Sequence, residues 1–243
     1  MNRWNGNGTH RHTWLGTALA VGLLVGTGCT TMRMKPPADL TAASDEFAVT
    51  GRSAFGGMLA DESFVLGPYR VAEVDRDWTH ANRHGAGEDE VGYQSTDSRT
   101  GFGFRFSEGE EALPAQCSQS THESGYNFGK SALSSSATDL LCTCGVGEAA
   151  SRLELGTARK GPAGRVTLAR GTYEVHAVHE VDGAWNVSAP AGYRVGKPGE
   201  PLGGVEVLRP GRVWLAKGLD AGERRQLACL LAGLMLFQEP SEH

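Results

Sequence analysis

The chain has 243 residues, a formal net charge of -5, and 40% hydrophobic and 21% charged side chains, which suffices for one globular domain with a buried core. Its 34 glycines, 10 prolines and 7% aromatics favour many short elements joined by turns and argue against coiled coils and helical repeats. An acidic balance lacks the Lys/Arg excess that phosphate neutralisation needs, so nucleic acid is not an expected partner.

At the N-terminus, Arg3 and Arg11 precede an apolar stretch from Leu15 to Val25, followed by Gly26, Thr27, Gly28 and Cys29. This is the charged, apolar, small-residue order of a secretory signal. The stretch is shorter than the roughly 20 residues of a spanning helix, so residues 1–28 are expected to be a cleaved signal peptide. A cysteine directly after small residues at the end of such a stretch resembles the bacterial lipoprotein signal. That resemblance implies that Cys29 becomes the lipidated first residue of the mature chain, anchoring it in the membrane of a bacterial cell envelope. Thr30, rather than Asp, follows it and leans toward the outer membrane. Removing residues 1–28 takes away two arginines and no acid, so the tethered part is the more acidic one. Residues 29–44, with Pro36-Pro37, have the composition of a mobile spacer ahead of a single domain at 45–239.

From Asp45 to Lys217 the dominant signal is period two. Runs such as Ser63–Leu66, Tyr69–Asp75, Gly101–Phe106, Asp139–Cys144, Arg152–Leu155, Arg165–Leu168, Thr172–Val178, Gly204–Leu208 and Arg212–Ala216 are β-branched or aromatic and are bounded by Gly, Pro, Asp or Ser. About twelve strands in an antiparallel meander are expected. Gly67-x-Tyr69-x-Val71 with Trp78 is echoed by Gly171-x-Tyr173-x-Val175 with Trp185, a pattern of two half-barrels. Both tryptophans read as core or rim packing.

Two connections, Thr79–Thr100 and Gln119–Thr138, read as long loops, which in a compact domain are functional or disordered. His80 and His84 lie in the first, with Glu88, Asp89 and Glu90 behind them. On a helix two histidines four apart hold a divalent metal when a carboxylate completes the site. Here His84-Gly-Ala-Gly argues for a loop, so the pair is a weak metal candidate and no cofactor is expected. Tyr126, Asn127 and Phe128 in the second connection are the residues expected to contact a partner.

With Cys29 set aside, Cys117, Cys142, Cys144 and Cys229 remain, an even number that in an oxidising envelope suggests disulfides. Cys142 and Cys144 on one strand share a face, and a bridge between them would be strained. A cross-strand link from Cys117 to Cys142 or Cys144 is expected, with Cys229 either bridged or a buried free thiol. Gly145-Val-Gly147 resembles a dinucleotide fingerprint, but no acid lies between Leu155 and Tyr173 to hold a ribose. There is no G-x-S-x-G turn, and Gly51-Arg-Ser53-Ala-Phe-Gly56 has the wrong spacing for one.

The last segment changes period. Asp220 and Glu223 form a variant capping box, and Leu227–Phe237 is an uninterrupted apolar run before Pro240, which predicts a helix over 221–237. A helix apolar all round is enclosed by protein or lipid, and this run is too short to span a bilayer. The expected fold is therefore mainly β: a closed or strongly curled antiparallel barrel around a hydrophobic C-terminal helix. That element order resembles the tubby C-terminal and LURP-one family, a meander of about twelve strands closed around a C-terminal helix. Members of that family bind phospholipid or act at membranes through basic pockets; no equivalent Lys/Arg cluster is present here, and the resemblance implies the fold alone.

The expected function is that of a non-enzymatic envelope lipoprotein, a binding or structural module whose loops contact an unidentified envelope protein or ligand. A carrier of lipid or another small apolar ligand is the alternative, requiring an interior cavity. A metal-dependent enzyme using His80 and His84 is third.

Overall fold

The computed structural model describes residues 32–52, 62–88, 91–128, 131–156, 163–183 and 186–237; Cys29, the signal segment, Asp89, Glu90 and Trp185 lie outside them. The described residues form α1 (Ala38–Ala43), β1 (Ser44–Thr50), β2 (Phe64–Leu66), β3 (Tyr69–Arg76), β4 (His80–Glu88), β5 (Val91–Glu108), β6 (Glu111–Phe128) and β7 (Ser131–Cys144). They continue with β8 (Ser151–Leu155), β9 (Gly164–Leu168), β10 (Gly171–Val178), β11 (Gly192–Lys197), β12 (Glu200–Glu206), β13 (Arg212–Ala216) and α2 (Ala221–Leu236).

Every ladder is antiparallel. The meander from β5 to β13 returns through β1 and β2 to β3, and β3 pairs with the near half of β5 to close a barrel of twelve strands. The thirteenth strand, β4, stands outside the ring and pairs only with the far half of β5. In the ring β3 and β10, the strands carrying the echoed Gly-x-Tyr-x-Val pattern, lie six places apart and so face each other.

Inside the ring sits α2. From Leu227 to Leu236 every residue of the helix is buried, which the inward side chains of the strands explain: Val71, Phe102, Phe106, Leu153, Val166, Val175, Val195, Val205 and Leu215 form one core with it. Burying such side chains contributes about 1.5–3 kcal/mol each, which makes this helix the largest single source of burial. Both ends are satisfied by charge. Asp220 accepts the Glu223 N–H at 2.9 Å, and Arg170 pairs with Asp220 and Glu223. At the other rim Arg52 and Arg76 donate to the carbonyls of Met235 and Leu236, complementing the negative end of the helix dipole. Burial and the nearby Arg209 pull the Arg52 pKa down to about 10, so it stays charged at neutral pH.

Two disulfides brace the wall beside the helix, and one of them ties the helix to it. Cys117 on β6 bonds Cys142 on β7 across a registered pair, and Cys144 on β7 bonds Cys229 on α2. Cys229 is therefore a bridge to the core helix and not a free thiol. Gly233, one turn on, presses its bare backbone against the first disulfide; a Cβ there would lie 3.0 Å from the Cys142 sulfur.

The barrel wall also has an outer layer. Residues 32–43 lie as a strap across β11, β12 and β13, with Met34 and Leu40 fully buried beside Trp214. Gly192 and Gly204 make the notches: a Cβ on either would collide with Met34 or Leu40. Buried Glu206 accepts the Met34 N–H at 2.6 Å and pairs with Arg33 and Arg212, and Asp39 pairs with Arg194. The described part of the expected mobile spacer is thus folded; two buried side chains and an ion triad outweigh its proline-rich, polar composition. The helix ends at Leu236 rather than 237, where Phe237 turns extended.

Replacing Cys144 and Cys229 together by alanine is expected to lower unfolding free energy by about 3–5 kcal/mol, measured by oxidised denaturant melts. The effect exceeds that of removing Cys117 and Cys142, because the spanned sequence separations are 85 and 25 residues. The strap has a pH dependence. The Gly199 N–H foremost holds the Asp39 carboxyl below its ordinary range; burial opposes it, and the Arg194 charge adds to the lowering. A depressed carboxyl contributes stability above its unfolded pKa of about 3.9 and loses it as pH falls through the folded value. Residues 32–43 are therefore expected to gain amide exchange, relative to the barrel, as pH falls below about 4, and Asp39→Asn is expected to abolish that difference.

Candidate binding face on a projecting sheet

β5 and β6 are each 18 residues long and stay in unbroken register from Val91↔Phe128 to Glu108↔Glu111. At about 3.4 Å per residue they run about 60 Å, whereas α2 at 1.5 Å per residue is about 24 Å long. Only the near halves cover the helix. The inward positions of β5 show the change: Phe106, Phe104 and Phe102 face the core, while Thr100, Ser98, Thr96 and Gln94 continue the same alternation with polar groups. Beyond the helix end, β4 and the far halves of β5, β6 and β7 form a four-stranded sheet.

Here the structure corrects two sequence-based expectations: the described residues of the expected loops Thr79–Thr100 and Gln119–Thr138 are strands from His80 on. Ser, Thr, Asn and Gly are loop formers by composition, yet hydroxyl and ladder pairing hold them in strands, as with Thr121 and Thr138, whose hydroxyls lie 3.3 Å apart.

Register places the side chains of the sheet's outer face in rows. His80, Arg99, Ser120 and Asp139 make one row; Asn82, Asp97, His122 and Ala137 the next; His84, Ser95, Ser124 and Ser135 the third. A groove of about 740 Å³ lies over the first rows. The His122 Nδ1 and the Asp97 carboxylate are 2.7 Å apart. One row further, toward the tip, Tyr93 and Tyr126 pack with ring centroids 5.0 Å apart beside Leu133, which is 70% exposed. A second groove at the root, lined by Arg152, Glu154 and Arg165 among others, shares Ser120 and Asp139 with the first.

The predicted site residues fall as follows. Tyr126 is half exposed on β6, Asn127 is exposed next to it, and Phe128 ends the strand; they stand on a strand, not in a loop. His80 and His84 share a face of β4, but four strand residues span about 13 Å, too far to ligate one ion. Among the described residues no three His, Cys, Asp or Glu side chains are grouped to hold a metal. Trp78 is 89% exposed, not core or rim packing, because the chain passes there from β3 to β4 outside the barrel. Asp97, His122, Tyr93 and Leu133 were missed; the cross-strand register that unites them is a long-range property.

No protein-family model, curated protein or solved structure matches the chain.

Since the projecting sheet buries none of the helix, its removal is expected to spare the barrel. A variant with residues 81–98 and 121–138 each replaced by a two-residue turn is expected to keep its near-UV circular dichroism and to melt within about 4 °C of the parent, equivalent to about 1–2 kcal/mol.

Proposed function

We propose that the protein is a non-enzymatic, lipid-anchored protein of a bacterial envelope that binds its partner through the projecting sheet. The observation that carries this reading is the sheet itself. Long strands run on past the helix they enclose, exposing Tyr93, Tyr126 and Leu133 on a face whose rows also hold Asn82, Ser95, Ser120, Ser124 and Ser135. Tyr with small polar residues is the composition that recognition surfaces use, rigid contact area beside adaptable hydrogen bonding.

The barrel interior supports a binding module over a carrier, since α2 fills the space in which an apolar ligand would sit. On element order alone we also assign the barrel to the tubby-like type, with no ligand carried over. Anchoring rests on the Gly26-Thr27-Gly28-Cys29 signal. Only Thr30 and Thr31 separate Cys29 from the strap that begins at Met32, about 10 Å of extended chain, so an acylated Cys29 holds the barrel close to the bilayer.

Expressed in a bacterium, the full chain is expected to sediment with membranes and to resist high-salt extraction, whereas Cys29→Ser is expected to be soluble. In-cell cross-linking of the lipidated protein is expected to capture an envelope component that the variant lacking residues 81–98 and 121–138 does not. Sedimentation unchanged by Cys29→Ser, or cross-links unchanged by loss of the sheet, contradicts the reading.

A further inference from the structure

The outer face of the projecting sheet suits one ligand chemistry, and the inference rests on that sheet being the binding element. We propose that this face binds a neutral polysaccharide, a linear chain of hexose or N-acetylhexosamine units lying along the strands.

The groove lining comes first. His80, Asn82, Asp97, Arg99, His122 and Asp139 offer hydrogen-bond donors and acceptors of both charge signs. An apolar ligand would strip water from these groups and leave them unpaired. An anion would meet Asp97 and Asp139, and a cation would meet Arg99. A polyol supplies a donor and an acceptor at every hydroxyl and carries no charge.

The aromatic residues come second. A pyranose ring has a C–H face that packs on an aromatic ring and a hydroxyl rim that does not. Tyr93 and Tyr126 pack together one row beyond the groove on the same face, and Trp78, two residues before His80 in the chain, is 89% exposed. A protein interface has an apolar centre ringed by polar groups; here the groove is polar and the tyrosine pair stands beyond it.

Length and flatness come third. From the His80 row to the Ala86 row is about 20 Å along the strands, room for several pyranose rings in line. The shared residues Ser120 and Asp139 carry the path onward into the root groove with its Arg152, Glu154 and Arg165, where paired charges again leave little net sign.

The test is isothermal titration of the purified full-length lipoprotein with the hexamer of N-acetylglucosamine, the hexamer of glucose, and polygalacturonate as an anionic control. At least one neutral hexamer is expected to bind, more tightly than its disaccharide, and which one binds distinguishes the two sugar classes. Tyr126→Ala, Trp78→Ala and His122→Ala are each expected to weaken binding about tenfold with melting temperature unchanged. Stronger binding of polygalacturonate, or affinity indifferent to all three substitutions, overturns the proposal. Failure of both hexamers also overturns it: if the sheet-dependent cross-link persists, the binding-module reading survives and the partner is a protein; if that too is absent, both fall.

Discussion

The fold depends on enclosing a helix that has no polar side. From Leu227 to Leu236 α2 leaves nothing for water, and a surface helix of ordinary amphipathicity could have lain on an open sheet with one face wet. This one cannot. The sheet must close completely, which requires the last pairing, β3 with β5, to join strands that the meander places at opposite ends. Closure also removes free edges from the ring, leaving β4 and the far half of β7 as the edges of the projecting sheet. The remaining details follow from lodging the helix in a tube: a glycine at 233 where the wall disulfide presses inward, a covalent tie from Cys144 to Cys229, and two arginines at the rim to receive the last carbonyls.

The same constraint defines where the core stops. Strands of five to eight residues, as in β8 to β13, run about 17–27 Å, comparable to the helix they flank. β5, β6 and β7 are more than twice as long as most of these. Where the helix ends, their inward positions pass from Phe102 to Thr100 and Ser98, and the sheet continues without a core to bury. Its outer face carries polar side chains in contact with one another, such as His122 with Asp97, next to the exposed Tyr93, Tyr126 and Leu133. The proposed binding role rests on this sheet, where exposed Tyr93, Tyr126 and Leu133 gather.

Much of the barrel is legible in the residues. Alternating Tyr69, Val71 and Phe102, Phe104, Phe106 mark strands with one buried face, and the apolar run after Gln226 marks the enclosed helix. The cysteine pairing was half legible: Cys117 to one of two partners follows from period two, but Cys229 needed the helix to be placed beside β7. The projecting sheet was not legible, because its Ser, Thr, Gly and Asn content matches that of loops and its strands lack an apolar face to announce them. The strap was misread for a related reason. Composition marks residues 32–43 as linker, and only the distant notches at Gly192 and Gly204 and the buried Glu206 give Met34 and Leu40 somewhere to go.

Native-state amide hydrogen exchange across residues 227–236 tests the enclosure of α2 most directly. If the helix is the packed centre, these amides exchange only through global unfolding, are the slowest in the chain, and track its stability in denaturant, while β4 exchanges far faster. Exchange of residues 227–236 as fast as that of β4, in detergent-free solution, would contradict the account.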